Sequence, residues 1–473
     1  MDDKGILRKL QEAAGKDKGS ISSDNLFRDI GFDGDNPRLG WFVLPEFSQI
    51  EDALKLFSDK ASGKNEFIFV GMGGSANGIK TVIQLTNSDS IYVLDSLDPE
   101  AIDAVLAQVK DFKRVLVCPI SKSGTTKETQ LIANTLKDAL GDNWPDNFLW
   151  IADKSAFTKL DNSGWQQAEK IPIQADHRED IGGRFTCPHT LIFLAPLYIA
   201  LGRDLERLQD FWNGYLSVAE KFRENALSLA YGNIQSSGNF KIVVPEQICT
   251  GITNWVIQLF QESLGSKAEG FYPKTLVSSS SKAGKFDIIN IKAKTQDKLV
   301  YTAGLMYSLQ VFVAAVAYLK NINFVNQPYV EIYKKELKNP GDIQASQPKP
   351  VDFNAMLDDI TNSASPDQRF IDIILYFNPS DVFKRKIKDT LSGRFTDKYI
   401  SIFEGSDWNH HSYQAAFKDI KTLFVIVVLT RYKSESEYVK DELIRQDSET
   451  LKDISRATYK TLQDKALYFS FSP

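Results

Sequence analysis

Two short stretches place small donor groups where an anion could sit. Residues 119–130 read PISKSGTTKETQ, and five of the first eight carry a hydroxyl or are Gly. Thr125 and Glu128 fit the S/T-x-x-E capping box, in which each side chain meets the other residue's backbone N–H. Capping does not account for Ser121, Ser123 and Gly124 just upstream. Several hydroxyls at the end of a strand, facing a helix N-terminus, suit the three oxygens of a phosphate. The second stretch is VGMGGSANG, residues 70–78. Gly73 and Gly74 would let the backbone come close to a ligand, and Ser75 adds a hydroxyl near another helix start. This turn has neither the P-loop Lys nor the GxGxxG spacing of a dinucleotide fingerprint. Taken alone it is also what a tight strand–helix turn looks like. Two such turns in one sheet make a phosphate monoester the leading ligand. A sugar phosphate would need acid–base groups from elsewhere in the chain.

The elements that would carry these turns alternate. EFIFVG (66–71), SIYVLDSL (90–97), RVLVCPI (114–120) and NFLWIAD (147–153) read as buried strands. NGIKTVIQL, DPEAIDAVLAQVK and KETQLIANTLKDALG read as the helices between them. The second helix opens at Asp98-Pro99 and the third stops at Gly141. Such succession implies α/β architecture, a doubly wound parallel sheet with helices on both faces. Ligands then bind at the carboxyl ends of the strands, where both donor-rich turns fall. Long helices follow around 190–202 and 205–235. A second alternating block runs from FKIVVPE (240–246) through NWVIQLFQESLG, FDIINIK and KLVYTAG to a helix at Leu305–Lys320. The Pro-bearing stretch 338–352 reads as a linker. A third block holds FIDIILYF, KYISIFEG, TLFVIVVL and ALYFSF with helices between, again α/β. The expected division is an N-terminal helical arm over 1–50, α/β units over 51–225 and 226–345, and a C-terminal α/β extension over 346–473.

With 473 residues the chain is too long for one ordinary core. Fifty-six Lys and Arg against 61 Asp and Glu give a net charge of −5. That balance gives no reason to expect nucleic acid or an anionic membrane as a partner. Three cysteines lack metal or redox spacing, which fits a reducing compartment. The first residues lack a signal-peptide core, and the longest apolar runs, near 191–201 and 423–429, are too short to span a bilayer. A cytoplasmic protein is expected.

The order of the motifs resembles the glucose-6-phosphate isomerase family, built on sugar-phosphate-binding (SIS-type) domains. GMGGS (71–75) and SKSGTTKET (121–129) are similar to that family's GIGGS and SK-x-x-TT-x-ET turns. DIGGRFT (180–186) resembles its GGR-[FY]-[ST] signature. QLFQESLGSK (258–267) resembles its Q-x-x-x-E-S-x-G-K segment, with one insertion before the Lys. VNQPYVEIYK (325–334) resembles its second signature, with Tyr329 where Gly is usual. The third block is similar, more loosely, to the C-terminal part of the isomerase fused to transaldolase.

The resemblance implies roles. Gly74, Ser75, Ser121, Lys122, Ser123, Thr125 and Thr126 would hold the phosphate, with Thr129 supporting the loop. Glu262 would be the base that moves a proton between C1 and C2 through a cis-enediol(ate). Arg184 would stabilise the developing oxyanion. Gln258 would contact the sugar or its phosphate, and Lys334 would be a ring-side group with Gln327, a further substrate contact, near it. No metal or organic cofactor is implied, and a homodimer is expected by analogy. The family usually places a ring-opening His some twenty to thirty residues after the base. Here no His occurs between His189 and His410. His410 and His411, in DWNHHSYQ, resemble the HS-x-x-Q segment of the transaldolase-fused form and are the candidates to replace it. The expected activity is interconversion of D-glucose 6-phosphate and D-fructose 6-phosphate. Two alternatives are a sugar-phosphate sensor on the same scaffold and an isomerase of another phosphosugar such as mannose 6-phosphate.

Overall fold

A computed structural model describes residues 3–265, 271–282, 284–291, 295–436 and 438–472. The N-terminal arm contains α1 (Asp3–Ala13), and α2 (Phe47–Ala61) leads into the first sheet. That sheet comprises β1 (Glu66–Val70), β2 (Ile91–Leu94), β3 (Val115–Pro119), β4 (Leu149–Ala152) and β5 (Glu169–Pro172). All pairings are parallel, in the order β2-β1-β3, with bridges Val117–Phe148 and Ile120–Ile151 carrying the sheet on to β4 and β5. The crossover helices are α3 (Gly74–Thr86), α4 (Pro99–Leu106) and α5 (Lys127–Leu140). Helix α4 starts as the sequence suggests: Asp98 accepts the Glu100 N–H, and Pro99 fills a position whose N–H would be unpaired.

Side chains alternate across the first sheet, so each strand supplies two cores. Phe67 and Phe69 of β1, Leu116 and Cys118 of β3, and Leu149 and Ile151 of β4 join a core shared with the N-terminal helices and the second sheet. Ile68 and Val70, Val115 and Val117, and Trp150 and Ala152 join another, shared with the C-terminal sheet. The first sheet is therefore the wall between them.

Helices α6 (Leu191–Ala200) and α7 (Leu205–Gly232) lead to the second sheet. It consists of β6 (Asn239–Val243), β7 (Lys274–Ser278) and β8 (Asp287–Asn290), parallel in the order β8-β6-β7. Helix α8 (Glu246–Leu264) connects β6 to β7. Helix α9 is continuous over Lys298–Lys320, so KLVYTAG forms its first turns and not a separate element. Asp297 caps it by accepting the Leu299 and Val300 N–H groups. Among the described residues it is the one helix long and apolar enough to cross a membrane, and 89% of its apolar window is buried inside the protein.

After α10 (Val330–Leu337), the C-terminal sheet takes up β9 (Lys349–Val351), β10 (Phe370–Leu375), β11 (Tyr399–Glu404), β12 (Thr422–Leu429) and β13 (Ala466–Phe471). These are parallel in the order β9-β13-β12-β10-β11. The short helix α11 (Asp407–His411) follows β11, and α12 (Asp441–Leu462) precedes β13. A buried ion pair, Lys274 with Asp372, ties the second sheet to the C-terminal one. The described residues are thus α/β, with three larger parallel sheets and a short antiparallel pair, Phe32–Asp33 with Asn36–Pro37.

Candidate active site

The loop after β3 folds on its own hydroxyls. Gly124 takes a positive φ of 69°, which reverses the chain so that its N–H reaches the Ser121 carbonyl at 3.1 Å. The Ser121 and Thr126 hydroxyls hydrogen-bond at 3.0 Å, and those of Ser123 and Thr125 at 2.8 Å. Ser121 is buried, whereas Ser123 and Thr126 line open space. A cavity of about 630 Å³ has Ser75, Lys122, Ser123, Thr126, Arg38 and Asp180 in its wall. The two donor-rich turns therefore share one cavity through Ser75, Ser123 and Thr126. Lys122 turns its ammonium to the Glu179 and Ile181 carbonyls and lies 3.7 Å from Asp153. Thr129 is fully buried on α5, and its hydroxyl has no hydrogen-bond partner among the described residues.

Gly74 is required by packing. A Cβ there would lie 2.3 Å from the Gly183 carbonyl oxygen. The start of α3 thus presses on the Gly182–Phe185 turn that carries Arg184. Arg184 is buried and uses all three arms of its guanidinium: Nε donates to Ser263 at 2.8 Å, Nη1 to Glu262 at 2.8 Å and Nη2 to the Phe324 carbonyl at 2.6 Å. Burial pushes its pKa down, against the pull of the Glu262 carboxylate. Glu262, on the last turn of α8, is only 4% exposed. Its Oε1 accepts from Arg184 and from the Gln327 amide, and its Oε2 from Gln258 Nε2 at 2.8 Å. Ser266 and Lys267, which end the QLFQESLGSK motif, lie outside the described residues.

Gln258 links this carboxylate outward. Its Nε2 also donates to the His410 carbonyl at 3.3 Å, and its Oε1 accepts from Asn77 Nδ2 at 3.1 Å. His410 in turn donates from Nε2 to Glu128 Oε1 at 2.9 Å. Burial alone would raise the Glu128 carboxyl, but the His410 charge outweighs it and holds the pKa down at about 2. Burial alone would lower His410, yet Glu128, with help from Asp407, leaves its pKa raised. Ser123, Thr126, Glu128, Lys334 and His410 line a second cavity, of about 610 Å³. Lys334 sits at its rim, 43% exposed, 3.0 Å from Glu331 on the same helix.

The capping box expected at Thr125 and Glu128 is not made. Helix α5 begins at Lys127 behind Thr126, with no side chain capping it. Glu128 is drawn to His410 because a buried carboxylate gains more from an imidazolium than from one backbone N–H. The other histidines lie elsewhere. His189 meets the Tyr215 hydroxyl in the core, and burial lowers its pKa to about 3. His411 is buried against Ser412, likewise lowered to about 3 by burial and by the Lys80 charge. His177 is exposed. Gln414, the last residue of the HS-x-x-Q segment, accepts the Tyr329 and Val330 N–H groups and so holds the start of α10. The sequence singles out His410 but presents Glu128 as a cap; their pairing spans 282 positions and has no local signal.

The family model described as phosphoglucose isomerase matches residues 40–234. A glucose-6-phosphate isomerase of Thermus thermophilus is 28% identical over 250 residues, 48% of this chain and 55% of that protein. The enzyme of the same name from Pediococcus pentosaceus is 25% identical over 414 residues, covering 67% of this chain and 89% of its own length. The chain spans about half the length of the first curated relatives it matches. Among solved structures, a glucose-6-phosphate isomerase from Chlamydia trachomatis superposes with a TM-score of 0.54 at 14% identity, over 73% of this chain and 84% of that one. A hypothetical protein from Thermus thermophilus gives 0.54 at 21% identity, over 71% and 94%. These structures share the fold, and the family model takes in β1 to β5 with the hydroxyl loop and the Arg184 turn, so that residues 40–234 of this chain are similar to the phosphoglucose isomerase family.

Proposed function

We propose that this chain is an aldose–ketose isomerase that interconverts D-glucose 6-phosphate and D-fructose 6-phosphate. The observation that carries the reading is the Glu262 carboxylate. Residues from three separate segments, Arg184, Gln258 and Gln327, hold it in one orientation. A fixed carboxylate can take the C2 proton of the open-chain aldose and return it to C1. Such base catalysis is worth roughly 10²–10⁴-fold. The electron pair left behind forms an enediolate, and Arg184 beside it stabilises the oxygen charge. The phosphate occupies the hydroxyl-lined wall formed by Ser75, Ser123 and Thr126, which fixes C1 and C2 against the base.

The cyclic sugar must open first. Opening removes the proton from O1 and places one on the ring oxygen. His410 suits this exchange because Glu128 keeps it protonated at a pH where a free imidazole is neutral. Lys334, on the same cavity, is the second cation beside the ring. His410 and Glu128 come from one chain, so in the homodimer expected by analogy each subunit carries its own pair.

The burial of Glu262 favours a second reading, a sensor that binds the phosphosugar without turning it over. Both carboxylate oxygens are already engaged. A coupled assay of fructose 6-phosphate conversion by the purified chain separates the two. Sustained production of glucose 6-phosphate supports the isomerase. Saturable binding without turnover supports the sensor. Faster conversion of mannose 6-phosphate would move the reading to that substrate.

A further inference from the structure

The Gly-rich turn after β1 offers backbone donors, and one of them is already taken. Gly73 has φ 54° and ψ −119°, a conformation that favours glycine. Its N–H donates at 2.9 Å to Oδ1 of Asp407, a residue 334 positions away at the start of α11. Asp407 is buried, 4% exposed, and its other oxygen lies 3.8 Å from His411 Nε2. Close to the same contact, a Cβ on Gly73 would stand 3.0 Å from the His410 Cβ and 2.8 Å from Gln258 Nε2. The turn therefore receives an internal carboxylate at Gly73 and leaves Ser75 to face the cavity.

We propose that Asp407 is a positioning residue: by docking on the Gly73 N–H it sets α11 on the glycine turn and so places His410 between Gln258 and Glu128. The inference rests on the isomerase reading and on the ring-opening role given there to His410. A buried side-chain oxygen that accepts from a buried backbone N–H satisfies both groups, and removing it leaves the N–H unpaired. The docked helix is only five residues long, Asp407–His411, so its first residue governs the seat of its fourth. Displacement of a catalytic group by about 1 Å can cost roughly a hundredfold in rate.

The test compares two substrates. Fructose 6-phosphate is largely cyclic and needs ring opening. A tetrose 4-phosphate cannot close a five-membered ring, because its O4 carries the phosphate. For Asp407→Ala we expect kcat for fructose 6-phosphate to fall about a hundredfold, with KM within about threefold and tetrose turnover within about threefold. Asp407→Asn keeps the acceptor and is expected to stay within about threefold on both substrates. Asp407→Glu keeps the carboxyl group but pushes α11 out by one methylene. It is expected to show the same loss on the cyclic sugar alone. Equal losses on both substrates in the Ala or Glu variant, or no loss in either, would overturn the inference. A parent protein that turns over neither sugar would instead overturn the isomerase reading on which it stands.

Discussion

Replacing Glu262 by Gln removes one charge and keeps the shape, so its consequences can be traced bond by bond. The amide oxygen can still accept from Arg184 Nη1 and Gln327 Nε2. The new NH₂ then faces Gln258 Nε2, donor against donor. A flip of the Gln258 amide relieves this, but its NH₂ would then meet Asn77 Nδ2. Asn77 can flip as well, because its Oδ1 is buried and has no hydrogen-bond partner among the described residues. The rearranged chain forfeits the bond from Gln258 to the His410 carbonyl and leaves Asn77 Nδ2 unpaired. Arg184 also loses its carboxylate partner, while Ser263 and the Phe324 carbonyl still accept from it. Breaking a buried ion pair costs about 3–5 kcal/mol, and the surviving contacts put this case near the lower end, at about 3 kcal/mol. Turnover of fructose 6-phosphate should fall by roughly 10³-fold, the middle of the range for a general base. Three measurements separate the effects: the coupled assay for rate, urea unfolding for stability, and calorimetric titration with fructose 6-phosphate for affinity. Affinity should stay within about fivefold, since the wall at Ser75, Ser123 and Thr126 proposed to hold the phosphate is untouched. Retention of more than about a tenth of the parental rate would refute the base assignment. Loss of affinity in proportion to rate would show Glu262 to be structural.

Ser123→Ala combined with Thr126→Ala removes two hydroxyls from the wall shared by both cavities. Affinity for fructose 6-phosphate should drop at least about tenfold, with no change for free fructose; parental affinity would misplace the phosphate. Gly74→Ala forces a methyl to 2.3 Å from the Gly183 oxygen and should cost about 1–3 kcal/mol in urea unfolding. Gly182→Ala is the control: its nearest neighbour, Phe185, is 3.9 Å away and it should be nearly neutral; equal effects of the two would refute the packing argument. Glu128→Gln breaks the pair with His410. The raised His410 pKa makes its contribution complete below about 6.5 and lost as pH climbs through the folded value, while the depressed Glu128 contributes above 4.5 and loses this toward about 2. The variant should therefore be about 2 kcal/mol less stable at about pH 6 but clearly less affected at about pH 9; an equal deficit at both would mean the pair carries no charge.

Much of this fold is legible in the chain because local signals agree. The apolar runs at 66–71, 114–120 and 422–429 form strands where they stand. Alternating residues of β1 then sort themselves between two cores, as period-2 geometry requires. Helix α9 reads as two elements in the sequence because Gly304 looks like a break. In the fold Gly304 makes room for Phe222 of α7, whose ring would lie 2.8 Å from a Cβ there, and the helix runs straight through. Strand β7 has no clear apolar signature because it opens on Lys274, a charged residue that becomes acceptable inside only through Asp372, 98 positions on. The hydroxyl loop, Arg184 and Glu262 carry local motifs and can be picked out singly. The pairs Glu128–His410 and Gly73–Asp407 have no local signature. They arise only when the C-terminal block is folded onto the first sheet.

That docking gives the C-terminal extension a role of its own. In an open parallel sheet the ligand crevice lies outside the carboxyl ends of the strands. The first sheet ends there in the glycine turn after β1, the Asp98 cap after β2 and the hydroxyl loop after β3. The C-terminal sheet meets them with its own carboxyl edge. After β10, the Asn378 N–H donates to Asp98; after β11, Asp407 accepts from Gly73. The two carboxyl edges thus meet at these contacts, and the cavity lined by Ser123, Thr126, Glu128 and His410 draws residues from both. A parallel sheet presents its loops and helix N-termini at this edge, so two such edges set opposed double the polar groups available to a small ligand. His410, projected from the second edge onto Glu128 of the first, is the consequence at the level of a single side chain. The family match over residues 40–234 therefore covers one lip of the candidate site, and the other lip is built on Asp407–His411, far beyond that match in the same chain.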